Sequence, residues 1–389
     1  MNKIGYKVVL ATIATAAVLA TSGCSGVLSG GGSDPTNDTG PIMLADIVPI
    51  SGSLAPSGLT MKNGAQMAVD EINAKGGVLN RKLKLDVLDG ACDPQQAVSA
   101  ANKAISNGDV MSVGNYCSGA ALPTLPIFNK AHIPMILAAA DSQVLPDAKS
   151  PNAFLINGTG VQQAESAVKF MKKEGVKSVA LVDDNTQFSK DITTGTAKDL
   201  EKDGSVKVLL NTSITAGESD YSSIVHSIVS ANPDMLYFTA YYQEGGLIIN
   251  QLRAAGFTGK IMVGDGSVDP ALIKIAGVAN AEGVFATSPP TPDTLPNAKN
   301  WVANYTKKFN IAPGPFSTQA YDAVRLAAQV ITNAKTTDGP AVIKALKTIK
   351  GFQLFTGTLE FTPEQTLKSG GYVILVVKDG EFTLKDSLK

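Results

Sequence analysis

Few residues in this 389-residue chain are of a type that does covalent chemistry. The only histidines are His132 and His226. His226 sits in the helical stretch DYSSIVHSIV and His132 precedes an apolar strand, so neither reads as a base or a metal ligand. The chain lacks G-x-G-x-x-G, G-x-x-x-x-G-K-[ST] and G-x-S-x-G, the marks of dinucleotide binding, P-loop chemistry and the α/β-hydrolase elbow. Asn37, Asn157, Asn211 and Asn304 each begin an N-x-[ST] pattern, which reads as chance. The three cysteines are Cys24, Cys92 and Cys117. Cys92 (DGACDPQQA) and Cys117 (GNYCSGA) each follow a strand, and neighbouring strand ends bring Cα atoms within disulfide range. In an oxidising compartment a bond between them is expected; two buried free thiols are the alternative. Ser118 follows the strand VMSVGNY and opens the helix GAALPTLPIFNK, so its hydroxyl and nearby N–H groups could face outward as a carboxylate cradle, or it could be a plain N-cap.

Cys24 belongs to a different region. Lys3 and Lys7 precede an apolar run from Val8 to Ala20, and small residues follow, the pattern of a secretory signal peptide over residues 1–23. The run has 13 residues, short of the roughly 20 that cross a bilayer as a helix. Thr21-Ser22-Gly23-Cys24 resembles a bacterial lipobox, in which the cysteine is diacylated and becomes the new N-terminus, although Thr21 stands where Leu is most often found. The next stretch, SGVLSGGGSDPTNDTG, is rich in Gly, Ser and Asp and reads with its flanks (24–41) as a flexible tether. The whole chain has 33 basic and 34 acidic residues, a net charge of −1. Loss of Lys3 and Lys7 with the leader takes away no acid, which leaves 31 against 34. A nearly neutral chain of pI about 6.2 without basic clusters excludes nucleic acid as a partner.

The elements that must position these residues are strands and helices in alternation. IMLADIVPI reads as a strand; Met61, Ala65, Ala68, Val69 and Ile72 then recur at helical spacing until Gly76-Gly77. KLKLDVLD alternates as a strand, and Asp93-Pro94 supplies an N-cap and a first-turn proline. Further strands are expected at 110–116, 134–140, 178–184, 207–214, 234–241, 260–266 and 283–288. Helices are expected near 295–309 and 316–333, then strand-like FTGTLEFT and a hairpin in YVILVVKDGEFTL turning at Asp379-Gly380. The pattern predicts parallel α/β sheets, and the length of the chain predicts two domains.

The stretches ISGSLAPSGLTMKNGAQMAVDEINAKGGVLNRKLKL, GACDPQQAVSAANKAISNGDV, VGNYCS, TAGESDYSSIV and LRAAGFTGKIMVGDG, with the IAG at 275–277, carry a resemblance over nearly all of the mature chain. It resembles the leucine/isoleucine/valine-binding proteins, the periplasmic receptors of branched-chain amino acid ABC transporters. The resemblance implies an α/β fold of two Rossmann-like lobes joined by three crossovers with a ligand cleft between them: lobe one 42–159 with 289–369, lobe two 160–288 with 370–389. It assigns the ligand α-carboxylate to Ser118. Ala139, Ala140 and Asp141 match an Ala-Ala-Thr or Ala-Ser-Thr whose first carbonyl and threonine bind ligand, so an aspartate here replaces the threonine. Asp265, by itself an ordinary turn residue, matches the acid that pairs with the ligand ammonium. Tyr241 and Phe316 match cleft aromatics, Phe188 replaces a tyrosine, Tyr116 a leucine, and Ser57 a tyrosine. As plain sequence, Phe188, Tyr241 and Phe316 would be equally at home in a core.

The function implied is a lipid-anchored solute-binding receptor of the bacterial cell envelope, facing the periplasm, that binds an amino acid (branched-chain or a related zwitterion), closes by a hinge and docks on an ABC permease. It would be a monomer and would need no cofactor, no metal and no catalytic residue. A sensor of the same fold that signals ligand occupancy is the alternative, and an exported α/β enzyme a weaker one. Lipidation is directly testable: a fatty-acid probe should label the wild-type protein and leave Cys24→Ala unlabelled and released from membranes. Equal labelling of the two would remove the anchor.

Overall fold

The structure, a computed structural model, describes residues 40–368 and 371–388. Cys24, the leader 1–23, most of the 24–41 tether and the expected boundary at 369/370 lie outside the described residues. The first elements are β1 (Ile42–Val48), α1 (Ala55–Ala74), β2 (Leu83–Asp89), α2 (Pro94–Asn107), β3 (Met111–Ser112), α3 (Ser118–Ala121), α4 (Leu125–Lys130), β4 (Met135–Leu137), α5 (Val144–Asp147) and β5 (Ala153–Leu155). These five strands form one parallel sheet in the order β2-β1-β3-β4-β5. The chain then crosses to a second set: α6 (Gly160–Lys173), β6 (Ser178–Asp183), α7 (Gln187–Asp203), β7 (Lys207–Ser213), α8 (Ser222–Ala231), β8 (Met235–Phe238), α9 (Tyr242–Ala254), β9 (Lys260–Val263), α10 (Pro270–Ala276), α11 (Val278–Ala281) and β10 (Phe285–Ser288). It returns through α12 (Lys299–Phe309), α13 (Ser317–Ala334), α14 (Gly339–Thr348) and the short strands β11 (Gln353–Leu354) and β12 (Gly357–Thr358), and crosses last into β13 (Val373–Lys378) and β14 (Glu381–Asp386). The second sheet runs β14-β13-β10-β9-β8-β6-β7.

The parallel part of each sheet has the same order, with the first strand between the second and third. In open α/β sheets this reversal leaves a crevice outside the carboxyl ends of the central strands. The two lobes point these crevices at each other. The returning segment belongs to the first lobe because its aromatic residues pack there: Trp301, Tyr305 and Tyr321 join the core of α1 and β1, with Phe355 meeting Trp301 edge-on at 5.6 Å. The hairpin β13–β14 turns at Asp379 and Gly380, both at positive φ (53° and 83°), as its sequence predicts.

Three expectations need correction. FTGTLEFT is not one strand: Gly357 and Thr358 pair with Leu354 and Gln353, and Phe361 makes a single isolated bridge with Leu367. The helix after Ser118 is broken into α3, a 3₁₀ turn at Leu122–Thr124 and α4. Pro123 and Pro126 are the cause: neither can donate a backbone hydrogen bond within a continuous helix. Cys92 and Cys117 follow strands that are not neighbours, because β1 lies between β2 and β3. Their bond forms nonetheless, with Cα atoms 5.3 Å apart, because Ala91 and Cys92 both adopt positive φ and turn the loop after β2 across the end of β1. Closing a loop of this length (sequence separation 25) stabilises by roughly 3 kcal/mol in the chain-entropy model. Reduction should therefore lower the melting temperature by several degrees and expose two alkylatable thiols. Alkylation of both thiols before reduction would refute the bond.

Candidate functional site

The crevices meet in a small cavity of about 10 Å³, walled by Tyr116, Asp141 and Phe316 on one side and by Phe188, Tyr241 and Asp265 on the other, with Ala139 and Gly266 completing it. The loops after equivalent strands supply equivalent residues: Tyr116 follows β3 and Tyr241 follows β8, while Asp141 follows β4 and Asp265 follows β9. The rings of Tyr116 and Tyr241 face each other across the cleft at 6.3 Å, Phe188 lies 5.4 Å from Tyr241, and Phe316 meets Tyr116 edge-on at 5.8 Å. Phe316 holds φ at +62° to reach this position. A bulky side chain in that region is strained, and such strain persists where surrounding packing requires it. Gly266 permits the close approach, since a Cβ there would lie 2.8 Å from Phe188 and 3.1 Å from Tyr241.

Further contacts join the lobes outside the cavity. Tyr242 Oη and Gln243 Nε2 both donate to the Ser53 carbonyl (2.7 and 2.8 Å), and the Gln143 N–H donates to Asp191 Oδ2 (2.7 Å). The Tyr241 hydroxyl reaches Cys117 Sγ at 3.5 Å, so the disulfide forms part of the rim.

Ser118 does not present a free hydroxyl. Its Oγ accepts the N–H groups of Asp141 and Ser142, both at 3.1 Å, and its own proton is directed to Asp141 Oδ1 at 3.5 Å. It is the first residue of a four-residue helix whose N-cap is Cys117. Ala140 is buried beneath the cavity, with its N–H on the Asn115 carbonyl at 3.1 Å. The Ala139 carbonyl lines the cavity and accepts from Asn157 Nδ2 at 3.0 Å. Ser57 is buried behind the wall beside the Tyr116 phenol. The exchanges at 57 and 116 thus meet.

Two site residues carry no signature in the sequence. Gln163, fully buried in α6, donates from Nε2 to Asp265 Oδ1 at 3.0 Å and to Thr287 Oγ1 at 2.9 Å. A polar residue on the apolar stripe of a helix that opens with a capping box was the available clue. Tyr372, in the last crossover, donates from its hydroxyl to Asp141 Oδ2 at 2.9 Å, and its ring lies where a Cβ at Gly158 of the first crossover would be, 2.4 Å away. His132 and His226 are both exposed and far from this arrangement, and no cluster suited to a metal occurs among the described residues.

Electrostatics mark the two acids. Asp141 and Asp265 are 1% and 3% exposed. Burial raises Asp265 to about 7, against the hydrogen bonds from Gln163 and Gly266 that favour its anion. Burial, and then the charge of Asp265, push Asp141 well above the usual carboxylate range.

Two α/β lobes that meet over an aromatic and acidic cavity define a two-lobed ligand-binding protein. Residues 41–381 match the periplasmic binding protein family. The leucine-, isoleucine-, valine-, threonine- and alanine-binding protein of Pseudomonas aeruginosa is 31% identical over 87% of this chain and 89% of its own. The Leu/Ile/Val-binding protein of Escherichia coli K12 is also 31% identical, over 84% and 88%. Among solved structures, a leucine-binding protein from Thermotoga maritima superposes with a TM-score of 0.82 at 26% identity, covering 88% of this chain and 97% of that one. A branched-chain amino acid transporter substrate-binding protein from Streptococcus pneumoniae, in complex with isoleucine, gives 0.80 at 25%, covering 89% and 100%. The chain belongs to the periplasmic binding protein family, in its leucine/isoleucine/valine-binding group. Its relatives are solute-binding proteins of ABC transporters and not enzymes.

The raised acids make the stability of the ligand-free protein depend on pH. Between the ordinary 3.8 and about 7 the folded chain holds a proton on Asp265 that the unfolded chain has released, so stability is full below that window and falls as pH rises through it. Asp46 and Asp109 are likewise raised to about 7 by burial, so the informative quantity is the difference between proteins. Asp265→Asn should lose less melting temperature than the wild type on going from acidic to mildly alkaline pH. Parallel profiles for the two proteins would show that Asp265 does not titrate in this range.

Proposed function

We propose that this protein is a lipid-anchored solute-binding receptor of an ABC importer, which captures a small amine-bearing solute of the amino-acid class between its lobes and presents it to the permease. The lobes divide at 159/160, 288/289 and 369/370, and hinge motion at these crossovers opens and shuts the cleft. The observation that carries this reading is the pair of buried carboxylates, Asp141 from one lobe and Asp265 from the other, facing one cavity. An ammonium held between them makes contact with both lobes only when they meet, so occupancy favours closure. The aromatic walls add attraction for a cation and exclude water from the pair.

Truncating one partner of a buried charge pair costs on the order of 3 kcal/mol, which corresponds to about a hundredfold in affinity. Asp265→Ala should therefore weaken calorimetric binding about a hundredfold while circular dichroism remains that of the wild type. Scattering profiles should also show the compaction on ligand addition that the wild type displays and the variant lacks. Wild-type affinity in Asp265→Ala, or a best ligand with no cationic group, would overturn the reading.

A further inference from the structure

We propose that the solute carries net positive charge and no free carboxylate, as an amino-acid amide or a simple alkylamine does, rather than being a zwitterion. This rests on the receptor reading above and narrows its ligand class. Four aromatic rings and the two aspartates make most of the cavity wall, and among the described residues no Lys, Arg or His lines it. Every donor to the two carboxylates is uncharged: Tyr372 and Ser118 hydroxyls on Asp141, the Gln163 amide and the Gly266 N–H on Asp265. These bonds orient the acids without neutralising them. The charged groups near enough to act on Asp141, namely Asp265 and Asp191, are acids as well.

The seat assigned to a ligand carboxylate is taken. Ser118 Oγ accepts two backbone N–H groups at 3.1 Å and turns its proton toward Asp141 Oδ1. A ligand carboxylate placed there would lose the hydroxyl donor and lie against Asp141, whose ionised form would repel it strongly out of water. Counting charge gives the same result. A monocation is balanced when the two acids share one proton, and a dication when both are ionised. A zwitterion is balanced only when both acids are protonated, and then neither remains an anion for its ammonium.

The test compares each of alanine, leucine, phenylalanine and lysine with its own amide, together with 3-methylbutylamine, by calorimetry on the wild type and Asp141→Thr. For the best-bound side chain the wild type should prefer the amide by about tenfold or more, and 3-methylbutylamine should bind more tightly than leucine. Asp141→Thr, which removes the carboxylate and keeps the backbone N–H on Ser118, should shift the amide-to-acid ratio at least tenfold toward the free amino acid. A wild type that prefers the free amino acid, or a ratio unmoved in Asp141→Thr, overturns the charge inference and leaves the receptor reading standing. No binding by any of these compounds overturns both. Unchanged melting of the variant in the absence of ligand excludes misfolding as the source of the shift.

Discussion

The constraint on which this site depends is the confrontation of two carboxylates buried almost completely from solvent. Each alone would be a common feature, a turn aspartate after a strand. Brought together from opposite lobes, with only neutral donors around them, they leave charge that the protein itself does not compensate. Burying such a pair is costly, and the cost is recovered only when a proton or a cation occupies the space. A group that neutralises the pair must touch both lobes, since one acid comes from each.

The fold delivers this pair through its repetition. Both sheets place their first strand between the second and third, so each lobe opens a crevice at the same topological point. The loop after the fourth strand of each parallel set carries an aspartate, Asp141 after β4 and Asp265 after β9, and the loop after the third a tyrosine, Tyr116 after β3 and Tyr241 after β8. The lobes are thus chemically as well as topologically alike at the cleft. What breaks the likeness is the crossover region, where Tyr372 packs on Gly158 and reaches only Asp141, while Gln163 at the start of α6 reaches only Asp265. Segments that join the lobes therefore also touch the acids, which couples the geometry of the crossovers to the charge state of the cleft.

Much of this was legible in the sequence, and the limits have physical causes. Alternating strands and helices and the hairpin at Asp379-Gly380 could be read because each depends on local periodicity or a turn motif, whereas the grouping of Tyr116, Asp141, Phe188, Tyr241, Asp265 and Phe316 came only from the resemblance to the leucine/isoleucine/valine-binding proteins. The broken helix after Ser118 follows from Pro123 and Pro126, whose effect a count of apolar residues understates. The state of the Ser118 hydroxyl was not legible, because it is set by N–H groups more than twenty residues further along the chain. Gln163 and Tyr372 escaped for the same reason: their partners lie 102 and 231 residues away. The alternation of the strands could not show that β1 separates the two cysteine-bearing strands, since strand order is a property of the assembled sheet.

Position 141 shows how this scaffold can change its ligand without changing its shape. The backbone there is held on every side by bonds that do not involve the side chain: the Ala140 N–H on the Asn115 carbonyl, the Asp141 and Ser142 N–H groups on Ser118, and the Gly160 N–H on the Asp141 carbonyl. Any residue compatible with that backbone would be presented to the same cavity from the same point. A hydroxyl there would add a neutral donor beside Ser118; the carboxylate instead adds a charge that Ser118 and Tyr372 orient and cannot cancel. The adjoining exchange of Ser57 and Tyr116 is of the other kind, since it moves an aromatic group from one wall position to another and keeps the cavity filled. Volume is preserved at one pair of positions while charge is altered at a third, so the charge of the cavity wall, more than its volume, is where this chain departs from the pattern it resembles.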